Sequence, residues 1–139
     1  MAADHRAAAQ ALVDAESRSC GGVAPEDRDT SPFYQREDVV RVEPSEAGGA
    51  EPPQSVTVVF RAVDGLSLEE LQLVVDCHLA RNASLGHATP EMSYCPLALE
   101  GVTADVAAGA AAGELAVTLR ASDAATRGEL WRRARALAP

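Results

Sequence analysis

The run SVTVVFRAVDGLSLEELQLVVDCHLA, residues 55–80, changes its hydrophobic period from that of a strand to that of a helix, and the fold follows from that change. Ser55–Val63 is rich in β-branched side chains and predicts the strongest strand of the chain. Gly65 marks a turn. Ser67-Leu68-Glu69-Glu70 then spells a capping box, with Ser67 as cap and Glu70 reaching back to it; Leu66 and Leu71 occupy the matching staple positions. At about 100° per residue, Leu68, Leu71, Val74, Val75, His78 and Leu79 share a broad arc that faces a core. Cys77 projects roughly 100° away from His78, near Leu73 on a second face. The helix is expected to fade around Arg81–Ser84, ahead of Gly86.

Upstream of this run, Asp38–Glu43 alternates well enough for a short strand. Residues 44–54 (PSEAGGAEPPQ) hold three prolines and two glycines and predict a flexible connection. Residues 5–19 predict a helix whose weakly apolar face carries Ala8, Leu12, Ala15 and Ser19, stopped by Gly21-Gly22. Residues 23–37 are charged and proline-bearing, hence a loop, and Phe33 and Tyr34 are both expected to pin it to the body.

Downstream, residues 85–100 form a loop with Pro90 and Pro96. Val102–Val106 and Glu114–Ala121 pair as a hairpin across the Ala/Gly connection 107–113. Ser122 or Asp123 caps a last helix, with Leu130, Ala134 and Leu137 turned inward and Trp131 beside them. The order α-β-β-α-β-β-α predicts an α+β fold: a four-stranded, largely antiparallel sheet with helices on one face, loosely ferredoxin-like. Residues 55–106 would be a right-handed crossover if their two strands run parallel. Residues 1–37 form an N-terminal helix and anchoring loop and 38–139 the α+β domain, together one folding unit.

A length of 139 residues and 47% hydrophobic content suit one ordinary core, although aromatics supply only 4%. The net charge of −9 disfavours attraction to nucleic acid or anionic lipid. The twelve basic residues are all arginine, and Arg127, Arg132, Arg133 and Arg135 read as a complement to the negative end of the last helix. No apolar stretch approaches the roughly 18 residues of a membrane span. Met1–His5 leads into a polar, Ala-rich segment and not an apolar signal core. Three cysteines allow one disulfide and one thiol, or three thiols. A protein partner is left open.

Chemistry concentrates in Cys77-His78-x8-His87-x4-Met92-x2-Cys95, with two of three cysteines, two of three histidines and the internal methionine. Thiolate, thioether and imidazole together suit copper(I), and Cys/His mixtures also suit zinc. The leading expectation is a soft-metal site, copper before zinc, built from His87 and Cys95 with Cys77, His78 or Met92. In the competing expectation the module binds or supports without catalysing anything. His78 is then a hydrogen-bonded core imidazole, Met92 a loop anchor, and Cys95 the disulfide partner of Cys20 or Cys77. Cys95 with His87 could also make an activated nucleophile, but no orienting third group has a recognisable signature, so no catalytic residue is assigned and an enzyme is not expected. Glu69-Glu70 is accounted for by capping, and Glu26, Asp27 and Asp29 by a solvated loop.

The segments Cys77-His78-Leu79-Ala80-Arg81-Asn82-Ala83, Gly86-His87 and Tyr94-Cys95-Pro96-Leu97 resemble those of small bacterial envelope lipoproteins of unassigned function. The likeness extends faintly to Ser19-Cys20, Arg28-Asp29 and Ser31-Pro32-Phe33, about half the chain in all. It implies an exported, lipid-anchored protein without its leader, periplasmic or envelope-facing, with the cytoplasm as the alternative. It also marks Cys20, Cys77, His78, His87 and Cys95 as the positions of interest.

Overall fold

The computed structural model describes residues 2–45, 52–63 and 66–139. Helix α1 (Ala2–Ser19) leads, by way of 3₁₀ turns at Pro25–Asp27 and Arg36–Asp38, to strands β1 (Val39–Pro44) and β2 (Ser55–Arg61). Helix α2 (Leu68–Ser84), 3₁₀ turns at Pro90–Met92 and Pro96–Ala98, strands β3 (Val102–Ala108) and β4 (Glu114–Ala121) and helix α3 (Ala124–Arg135) complete the chain. The element order and the α+β class are those expected. The middle of the proline- and glycine-rich connection and the turn at Gly65 lie outside the described residues.

All neighbouring strands pair antiparallel in the order β1-β2-β4-β3. Strands β2 and β3 therefore run parallel with β4 between them, and α2 carries the chain from one to the other. Register opposes Val56 to Leu119, Val58 to Val117 and Phe60 to Leu115. These side chains meet Leu71 and Val75 of α2 and Leu130 and Ala134 of α3 in one buried cluster, so both helices cover the same face of the sheet. The opposite face is tied by polar groups: Thr57 and Thr118 share a hydroxyl hydrogen bond of 3.1 Å, and Arg41 forks onto Glu114 at 2.8 and 2.9 Å.

Local chemistry sets the helix starts. Ser67 Oγ accepts from the Glu70 N–H at 3.1 Å. At α3 it is Asp123 that caps, its carboxylate accepting from the Thr126 N–H at 2.9 Å; such a cap contributes about 1 kcal/mol. On the free margin of β3 the Val106 N–H donates to Gln72 Oε1 at 3.0 Å, and Gln72 Nε2 donates to Asp76 at 2.9 Å.

Two expectations are corrected. Phe33 is fully buried and stacks on Phe60, ring centroids 5.4 Å apart, but Tyr34 is 64% exposed and pins nothing. Successive residues of a short non-helical segment point apart, so one ring enters the core and the other leaves it. Arg127 sits in the first turn of α3, where it donates to the Ser122 carbonyl at 2.8 Å; only Arg132, Arg133 and Arg135 lie in the last turn.

Helix α1 contributes no buried residue. It lies on α2 through a disulfide from Cys20 to Cys77 and through Glu16, which pairs with Arg81 and accepts from Ser84 Oγ, both at 2.6 Å. Arg81 also pairs with Asp29, drawing that loop carboxylate onto the body. Of the expected apolar face, Ala15 and Ser19 turn partly inward while Ala8 and Leu12 stay exposed. Among the described residues no helix is long and apolar enough to cross a membrane.

Candidate functional site

The second half of α2 presents two faces. Cys77 points at α1 and its sulfur is taken by Cys20. His78, one residue on, points into the core, where its Nε2 lies 3.6 Å from Cys95 Sγ. Cys95 precedes the turn Pro96–Ala98, all three residues of which are buried, so the sulfur is carried inward on a stiff support. Ser31 Oγ closes the cluster, 3.0 Å from Cys95 Sγ and accepting the Phe33 N–H at 3.1 Å.

Ser31, His78 and Cys95 are 3%, 2% and 0% exposed, and burial decides their protonation. Loss of water brings the imidazole of His78 down to a pKa of about 4 and pushes the Cys95 thiol above its ordinary value. Both groups are thus neutral at pH 7. Neutral imidazole accepts at one ring nitrogen and donates at the other. A thiol proton donated to Nε2 leaves the ring proton on Nδ1, which is buried with no partner among the described residues. Below this cluster Asn82 Nδ2 donates to the His78 carbonyl and Thr89 Oγ1 to Asn82 Oδ1, each at 2.9 Å. Those bonds fasten the following loop to α2.

The other residues of the sequence cluster go elsewhere. Gly86 and His87 both adopt positive φ, 65° and 59°, where the chain leaves α2. His87 N–H closes the helix end on the Asn82 carbonyl at 2.8 Å, and its Nδ1 donates to the Ala98 carbonyl at 3.1 Å. A non-glycine residue in that region costs about 1–2 kcal/mol, so this ring bond and the loop packing hold it there. His87 lines an open cavity of about 360 Å³ with Pro90, Ser93 and Leu99. Met92 anchors the loop at the core's edge and, with His78, Asn82 and Thr89, lines a smaller cavity of about 180 Å³.

Of Cys77, His78, His87, Met92 and Cys95, the fold joins His78 to Cys95 and places Met92 on the cavity beside His78. The expected bridge through Cys95 is not formed: the disulfide is Cys20–Cys77, and Cys95 is a buried free thiol. The reason is helical geometry, because Cys77 faces α1 while Cys95 belongs to the core side. A Cys95–His87 nucleophile is likewise replaced by a Cys95–His78 contact in which neither group carries charge. Among the described residues no three His, Cys, Asp or Glu side chains gather to hold a metal ion.

Two features escaped the sequence reading. Ser31 reaches Cys95 across 64 residues, carried in by the insertion of Phe33. The other is a cleft of about 480 Å³ where the loop before β1, the loop before β3 and the end of α3 meet, lined by Tyr34, Tyr94, Ser93, Arg36, Arg132 and Arg133. Arg36 donates to the Ala136 carbonyl, and Arg133 Nη1 donates to the Cys95 carbonyl at 2.9 Å. Arg132 and Arg133 both engage Glu129, and their hydrogen bonds hold its carboxyl down at about 2. Of this cleft only the arginine spacing was visible in the sequence. No protein-family model, no curated protein and no solved structure matches the chain.

Proposed function

We propose that this chain is a non-catalytic binding module of an exported, envelope-facing protein, stapled by the Cys20–Cys77 disulfide. The single observation that carries the reading is that bond, because it fastens a helix with no buried residue to the rest of the domain. Disulfides persist in oxidising compartments and are rare in the cytosol. The resemblance to envelope lipoproteins points the same way. Binding is supported by the open cleft, and the absence of catalysis by a thiol and an imidazole that burial keeps neutral. The β2-α2-β3 unit, split by β4, supports a ferredoxin-like reading of the fold.

Protein isolated from its own host without reductant, then denatured and alkylated, is expected to yield one reactive thiol and a linked Cys20–Cys77 peptide. Three reactive thiols would overturn the reading.

A second reading, soft-metal binding, rests on one distance. Cys95 Sγ and His78 Nε2 are 3.6 Å apart. Bond lengths of about 2.3 Å to sulfur and 2.0 Å to nitrogen subtend about that separation at a tetrahedral ion. The Met92 thioether borders the same side and would favour copper(I) over zinc. This reading needs the thiolate, which burial opposes. Near-stoichiometric copper or zinc that disappears in Cys95→Ala supports it; a protein that takes up neither from a chelated supply sinks it.

A further inference from the structure

The cleft at the end of α3 carries a ligand class. In a chain of net charge −9, three guanidinium groups line it from two separate segments, Arg36 from the turn before β1 and Arg132 and Arg133 from α3. Glu129 offsets only one of these charges. Each guanidinium has five N–H donors. Arg36 spends Nη2 on the Ala136 carbonyl, Arg132 spends Nε and Nη2 on Glu129, and Arg133 spends Nε on Glu129 and Nη1 on Cys95. Among the described residues Arg36 Nε and Nη1 and Arg132 Nη1 have no partner. Both tyrosines of the chain line the same cleft, and Tyr34 is 64% exposed beside a fully buried Phe33. Ser93 adds a hydroxyl and Leu137 an apolar patch.

Charge complement to the carbonyls at the end of α3 accounts for three arginines in its last turn and for one hydrogen bond of Arg36. It does not account for two tyrosines lining the cleft beside them, nor for guanidinium donors left over on both segments. A space of about 480 Å³ is that of a small organic ligand and not of a bare ion. Guanidinium forks match the planar or tetrahedral oxygens of carboxylate and phosphate, and aromatic faces take a flat ring.

We propose that the cleft binds a small aromatic oxyanion, an aryl carboxylate or aryl phosphate, with its oxygens on Arg36 and Arg132 and its ring against Tyr34 and Tyr94. This rests on the reading of the chain as a binding module and supplies that module with a ligand. The ligand enters and leaves without covalent change.

The test titrates the full chain, its disulfide verified by mass, with benzoate and with phenyl phosphate at low ionic strength. Tyrosine ring and arginine Nε–H resonances are followed by NMR. Saturable shifts of Tyr34 and Arg36 are expected with at least one of the two, and whichever binds more tightly identifies the anion. Benzylamine should give none, and acetate and inorganic phosphate should bind at least about tenfold more weakly. Arg132→Gln and Tyr34→Ser alter exposed side chains and should keep the fold. Arg132→Gln should weaken binding about tenfold or more, the scale of one charge-assisted hydrogen bond, and Tyr34→Ser several-fold. No saturation with either compound, equal binding by inorganic phosphate, or unchanged affinity in the Arg36→Gln/Arg132→Gln protein would overturn the proposal. Those results would leave the disulfide scaffold standing, whereas three free thiols would remove the scaffold reading without touching the titration.

Discussion

The two sides of α2 solve the same problem by opposite means. On the side of α1, where no apolar residue of that helix is buried, contact is kept by a covalent bond and a few ionic groups around Arg81. On the sheet side, Leu71, Val75 and His78 are buried among neighbours that exclude water, and no covalent link is present. Neighbours in sequence, Cys77 and His78 therefore live under different rules. The first is held by oxidation, the second by loss of solvent. A layer too poor in hydrocarbon to dock by itself needs a tether; a layer rich in it can carry a polar group inward, provided that group gives up its charge.

The largest effect should come from cutting the tether. A link spanning 57 residues restricts the unfolded chain by about 4 kcal/mol on the loop-entropy account. Cys20→Ser with Cys77→Ser should lose stability of that order in urea titrations, and hydrogen exchange should show α1 losing protection before the sheet does. A loss under about 1 kcal/mol would mean that α1 docks by packing after all.

The buried imidazole gives the next effect, and its sign is fixed. His78 titrates at about 4 in the folded protein against 6.5 when free, so between those values the unfolded chain takes up a proton that the folded chain refuses. Stability is full above about pH 7 and falls by about 3 kcal/mol as pH drops through that window. Glu16 and Glu114 have lowered values, so their loss of stabilisation starts only near their ordinary 4.5; the interval above pH 5 reports His78. His78→Gln should flatten that interval. An unchanged slope in the variant would place the titrating group elsewhere.

The smallest effect sharpens the core side of the comparison. Cys95→Ala removes the partner of His78 Nε2 and of Ser31 Oγ while leaving the tether intact. The cost should be about 1–3 kcal/mol, that of an unsatisfied buried polar atom plus a small void, read by chemical denaturation. In the parent protein the same thiol should resist alkylation until unfolding, whereas rapid labelling of the native state would show that the cluster opens.

What could be read in advance tracks how local its cause is. The cap at Ser67, the part of the arc that carries Leu71, Val75 and His78, and the limits of β4 depend on residues within a turn or a pleat, and these stand where the periodicity put them. Val74, expected on the same arc, packs instead with Cys20, Val23 and Cys77 on the α1 side. The second cap resolved to Asp123 over Ser122 only when side-chain geometry could choose. Nothing near Cys20 signals that α1 lies along α2, since its hydrophobic stripe is too thin to name a partner surface. The grouping of His78 with Cys95 was visible as a sequence cluster, but its membership was not. His87 is diverted by the left-handed exit from α2, and Ser31 arrives from a distant loop. The cleft was least visible because its walls come from three segments, and only their folding brings Arg36 to Arg132.

An open sheet has two unpaired margins, and each is a template on which another chain could add a strand. Near the middle of one margin, the Gln72 side chain already occupies the Val106 amide, and Asp76 steadies Gln72 from the next turn. An incoming strand would have to evict a side chain of the domain's own central helix before its ladder could pass that point. One amide reaching from helix to border thus hinders edge-to-edge strand addition at that margin, built from a residue that neither the core nor the cleft requires.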